Sequence, residues 1–193
     1  MRRILPFLLA TLAALPAAGE GAGDFLSGGK ASLDLRYRFE DVSQEGLAED
    51  AEANTLRLRL GLASGKVAGF SALVEGDHVF AIGSDHYNDT RNGEIAYPVV
   101  ADPEGTDLNQ AWLQYEGARG TVVRAGRQRI ALDDERFVGA VGWRQNEQTF
   151  DSLRFDTKAV PRTTVTYAYV DRVQRVYGPD EGVPPAALLS DSH

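Results

Sequence analysis

Residues 55–62 read Thr-Leu-Arg-Leu-Arg-Leu-Gly-Leu, and residues 33–40 read Leu-Asp-Leu-Arg-Tyr-Arg-Phe-Glu. Apolar and charged side chains alternate one by one. Successive side chains of a β-strand point to opposite faces, so each segment makes one greasy face and one charged face. Arg57 and Arg59 share the charged face, and two guanidinia are costly in a dry core. Two settings suit the pattern. In a sandwich strand the polar side meets bulk water. In a membrane barrel strand Leu meets lipid and Arg meets a wet lumen.

The flanks favour the second setting. Met1-Arg2-Arg3 is a basic start, Ile4 to Leu15 is mainly apolar, and Ala17-Ala18-Gly19 supplies small residues for cleavage. This is the layout of a secretory signal peptide, and the apolar run is too short to cross a bilayer as a helix. Residues 1–19 are therefore predicted to be a signal peptide. Residues 20–177 are predicted to be the N-terminal part of a barrel, and 178–193 an irregular tail. The sequence has no cysteine, which removes disulfides and thiolate chemistry. An exported chain without disulfides suits the bacterial periplasm or outer membrane.

The net charge of −8 argues against nucleic acid as a partner. Of the 20 basic residues, 17 are arginine. The planar fork of arginine matches carboxylates and phosphates. The acids crowd into 40–52 and 77–107, which suits a basic lumen below acidic outer loops; a GC-rich genome would also enrich arginine.

Seven strands are predicted, at 29–41, 54–63, 67–77, 107–115, 121–130, 149–156 and 163–177. Ser64-Gly65-Lys66, Glu116 to Gly120 and Lys158 to Arg162 make short turns. The connections after the first, third and fifth strands are long. Outer-membrane barrels alternate short periplasmic turns with long outer loops in this way, and strands of this length suit a tilted span of the bilayer. The expected fold is all-β: an antiparallel up-and-down meander, a partial transmembrane β-barrel of about seven strands with long extracellular loops. Tyr37, Phe39, Tyr115, Tyr167 and Tyr169 fall on the lipid side near strand ends, where an amphipathic ring sits well. The facing of the fifth strand is ambiguous because Val122 and Val123 are adjacent, and Gly126 suggests a bulge.

Several stretches carry a resemblance. They are Gln110-Ala111-Trp112-Leu113-Gln114-Tyr115, Ala125-Gly126-Arg127-Gln128, Asp134-Glu135-Arg136-Phe137-Val138-Gly139, Trp143-Arg144-Gln145 and Thr149-Phe150-Asp151. Together with Arg36-Tyr37-Arg38-Phe39-Glu40 and Asn54-Thr55-Leu56-Arg57-Leu58-Arg59, they resemble the N-terminal half of the alginate export family of outer-membrane porins, over about 25–177. The resemblance implies transport and no cofactor. It implies outer-membrane lipid, the outer-membrane assembly machinery and an anionic solute or polysaccharide such as alginate as partners. Members of that family are longer single-chain barrels with a terminal aromatic residue, so the chain is expected to be a fragment.

On this reading Arg36, Arg38, Arg57 and Arg59 form one lumen wall, and rings of arginine select anions. The other role open to them is pairing with Asp34, Glu40 and loop acids. Arg127, Arg129, Arg136, Arg144 and Arg154 are further candidates; the resemblance places them around a loop that enters the pore, or in a network between loop and wall. His78 and His86 sit in an acidic stretch without metal-ligand spacing, so no metal site is expected. No nucleophile motif or phosphate loop is present, so no catalytic residue is assigned. The competing function is a soluble exported β-sandwich that binds carbohydrate, with Trp112 and Trp143 stacking on sugar rings.

Overall fold

The computed structural model describes residues 28–83 and 86–178. The expected signal peptide, and all of the expected tail but Gly178, lie outside the described residues. The strands are β1 (Lys30–Val42), β2 (Ala51–Ala63), β3 (Phe70–Ala81), β4 (Gly105–Glu116), β5 (Val122–Gln128), β6 (Thr149–Thr157) and β7 (Val165–Gln174). They form one seven-stranded sheet in sequence order, every neighbouring pair antiparallel. The sheet is not closed, as in a partial barrel. One turn of 3-10 helix, Ala118–Gly120, joins β4 to β5.

Alternation decides the two faces. On β2, Arg57 is 1 % exposed while Leu60 is 56 % exposed. On β1, Leu33, Leu35, Tyr37 and Phe39 are bare. Thus the apolar row stands outside and the charged row is covered. Among the described residues no second sheet packs on the Leu row, which is what a sandwich requires. Tyr115, Tyr167 and Tyr169 join the bare face.

Boundaries differ from expectation for local reasons. β2 starts at Ala51 because Ala51 and Ala53 continue the alternation and bury against Tyr87 and Val100. The first connection is therefore only residues 43–50, shorter than predicted. β3 starts at Phe70 because Ala68 and Gly69 both have positive φ and turn the chain. β3 also extends to Ala81, which places His78 in a strand and not in the loop, with Nδ1 2.5 Å from the Thr106 hydroxyl.

Register resolves β5. Val122, Arg124, Gly126 and Gln128 align with Glu116, Gln114, Trp112 and Phe150, on the loop-covered side. Gly126 is not a bulge, since pairing runs through it without a shift. Its φ of +119° and the close approach of the Ala111 carbonyl explain the glycine. Bulges lie instead between Glu75 and Gly76 in the β3–β4 pairing and between Asp151 and Ser152 in the β6–β7 pairing.

Candidate functional site

Strand alternation puts Arg36 beside Arg57, and Arg59 between Asp34 and Asp77, on one face. Like charges directly opposite repel, so Arg36 and Arg57 need acceptors elsewhere. The connection between β5 and β6, residues 129–148, supplies them by lying across this face.

Arg36 donates through Nη1 to the carbonyls of Gly142 (2.7 Å) and Arg144 (3.0 Å). Arg57 pairs with Asp34 and donates to the Gln145 carbonyl at 3.2 Å. Arg59 grips both oxygens of Asp77 at 2.6 Å and reaches Glu147 with its remaining nitrogen. A bidentate fork of this kind is among the stronger hydrogen-bond pairs. Glu147 also takes Arg129 at 2.5 Å, so one carboxylate bridges two guanidinia. Burial works against the charged form of Glu147, but the hydrogen bonds and charges of Arg59 and Arg129 outweigh it and hold the carboxyl below its ordinary value.

Gln145 is the central neutral anchor. Its side-chain amide donates to the Thr55 hydroxyl (2.9 Å), the Thr55 carbonyl (3.1 Å) and the Arg36 carbonyl (3.3 Å). Its backbone N–H donates to Asp102 at 2.9 Å, which ties in the other long connection, residues 82–104. Asp102 also meets Arg38 at 3.1 Å and Arg144 at 3.8 Å. Burial pushes its carboxyl above the ordinary range in spite of these charges. Arg38 donates to the Trp143 carbonyl at 2.5 Å, and Glu40 accepts from both Arg38 (2.5 Å) and Arg144 (3.1 Å). The Trp143 ring faces the guanidinia of Arg144 at 4.3 Å and Arg38 at 5.1 Å.

Six of the nine expected arginines therefore meet in one assembly: Arg36, Arg38, Arg57, Arg59, Arg129 and Arg144. Arg57 and Arg59 lie beneath the loop, not on a free surface. Arg127 stands apart, in the row of Ala111 and Asp151, paired with Asp151 at 2.8 Å. Arg154 holds Asp156 at 2.7 Å. Arg136 is largely exposed and, among the described residues, pairs only with Asp134 at 3.5 Å. Sequence reasoning missed Gln145, Glu147, Asp102 and Arg124. The first three belong to irregular segments with no periodicity. Arg124 was hidden by the Val122-Val123 pair. Among the described residues no three His, Asp or Glu side chains gather as a metal site.

The family model for alginate export matches residues 30–170. The chain belongs to the alginate export family. The resemblance carried by the arginine-bearing strands and the 125–151 stretch is thus shown, and so is the partial-barrel meander. Alginate export proteins are a transport family of the outer membrane rather than an enzyme family, and membership supports a role in polysaccharide export. No curated protein matches the chain.

Proposed function

We propose that this alginate export family member forms one wall of an outer-membrane channel for anionic or polar solutes, an acidic polysaccharide such as alginate foremost. The observation that carries the reading is the inverted burial: arginine under cover, leucine bare. An exposed apolar face this large needs a partner, and lipid supplies one without a second sheet. A signal peptide at 1–19 directs export, and the outer-membrane assembly machinery inserts the strands.

Open sheet edges are not tolerated in lipid, so further strands pair with β1 and β7. In an antiparallel meander β1 and β7 run the same way, and an odd number of additional strands closes the sheet without a parallel seam. In this reading the loop 129–148 narrows the passage. Arg57 and Arg59 fix the loop from below, while the half-exposed Arg129 presents its guanidinium at the loop margin. Fixed cations lower the barrier for carboxylates, and several weak contacts let the solute leave again.

The test is planar-bilayer conductance of the full-length protein in a KCl gradient. The expected result is an anion-selective reversal potential and current block by added polyuronate. Absence of conductance, or cation selectivity, overturns the reading.

A further inference from the structure

Away from the loop, the short-turn half of the covered face holds a second basic site. Lys66, in the turn between β2 and β3, is paired with Glu116. Glu116 accepts from the Gln114 amide N–H₂ at 2.9 Å, so the Gln114 oxygen must point the other way. That oxygen receives Nε (2.8 Å) and Nη2 of Arg124. Arg124 is thereby held over Trp112, its guanidinium carbon 4.2 Å from the ring centroid.

Two features of this stack are unfinished. Most arginines of the covered face have a carboxylate in contact; among the described residues Arg124 has only the neutral Gln114 amide, and its Nη1 has no hydrogen-bond partner. The indole N–H of Trp112 is buried and also has none. A buried donor without an acceptor has given up its hydrogen bond to water with nothing in return. The positions paired across from Trp112 are Gly126 and then Ser152, and the row of Arg124 continues to Arg154 and Ala168. Small residues thus pair across from Trp112, and Arg154, held by Asp156, stands next to Arg124 in its row.

We propose that Arg124, seated on Trp112, is a binding site for the carboxylate of an acidic sugar on the short-turn side of the channel. The inference rests on the channel reading above and adds to it the residues that meet the solute first from that side. A carboxylate takes the free Nη1 edge of the fork. Drawing Arg124 toward it uncovers the indole N–H, which then donates to a sugar oxygen. The Lys66–Glu116–Gln114 relay keeps the fork aimed.

Within residues 1–193 the tryptophans are Trp112 and Trp143, so replacing Trp143 and any tryptophan elsewhere in the full-length protein by Phe leaves Trp112 as the only indole reporter. The full-length variant in detergent micelles is titrated with trigalacturonate, and with maltotriose as the uncharged counterpart. The expected result is a saturable change in Trp112 emission with trigalacturonate alone. Adding Arg124→Gln should weaken it about tenfold or more, in line with loss of a charged hydrogen bond. Arg124→Lys, which keeps charge but not the fork, should fall between the two, and it serves if Arg124→Gln does not fold. Arg162→Gln in the β6–β7 turn should titrate like the parent. An unchanged curve in both Arg124 variants, or an equal response to maltotriose, overturns the site. Conductance of the same preparation separates the two claims: current without a Trp112 response removes the site and leaves the channel, and absence of current removes the channel.

Discussion

Arg59 shows what a single residue must satisfy on the covered face. A buried guanidinium is tolerable only with partners for its fork, and it has Asp77 on β3 and Glu147 on the loop. Removing one member of such a pair strands the other. Arg59→Gln is expected to cost about 3–5 kcal/mol. Glu147→Gln should cost less, because Asp77 still holds Arg59. A double-mutant cycle on denaturant unfolding checks this: near-additive effects would mean that Arg59 and Glu147 do not act as a pair. The face of Arg59 was legible from the sequence, since alternation fixes it. Glu147 as its partner was not, because it lies far along the chain in a segment without a period. Gly126 makes a sharper residue-scale case. A Cβ there would sit 2.2 Å from the Ala111 carbonyl oxygen, on backbone with positive φ. Gly126→Ala should force β4 and β5 apart, seen as loss of the compact, heat-modifiable band on cold SDS gels; normal folded yield would contradict the close approach.

At the scale of elements, strands were readable and loops were not. β1 and β2 announce themselves by strict alternation. β5 does not, because two adjacent valines and a glycine carry no period, and only pairing with β4 and β6 assigns its face. The loop 129–148 keeps its place through two acids with opposite behaviour. Glu147 titrates below the usual range, so its contribution is complete above its ordinary value and is lost as pH falls through the lowered one. Asp102 titrates above the usual range, so its contribution is complete below its ordinary value and is lost as pH rises through the raised one. The loop should be held best between the lowered value of Glu147 and the raised value of Asp102, and less well on either side. With Trp112 and any tryptophan outside residues 1–193 replaced by Phe, acrylamide quenching of Trp143 reports the hold. Asp102→Asn should flatten the upper limb, and Glu147→Gln should abolish the acid limb. Quenching that is constant with pH would exclude both acids as the restraint.

For the whole molecule, the sheet is an inside-out globule. Its bare face carries Leu33, Leu35, Leu60, Leu62, Tyr167 and Tyr169, and its covered face carries arginine, glutamine and carboxylates. The order of seven strands was legible because turns and alternation are local. Which loop folds back over the wall was not, because that choice depends on contacts between distant segments. Residues 20–193 expressed alone should aggregate or need detergent, because a large apolar face and two strand edges are open. A monodisperse, detergent-free monomer by light scattering would show that another surface covers the Leu row.

Where the Leu row points decides whether this face meets lipid. Residues 1–193 contain no cysteine, so single-cysteine labelling of β2 needs no background substitution within this stretch. Nitroxide labels are placed one at a time from Thr55 to Ala63 in the protein reconstituted into lipid vesicles. Power saturation then measures access to oxygen, which concentrates in the bilayer, and to a water-soluble nickel chelate. The expected profile has a period of two, with oxygen access highest at positions 56, 58, 60 and 62 and low at 57, 59 and 61. A flat profile, or highest nickel access at the leucine positions, would contradict the claim that this face meets lipid.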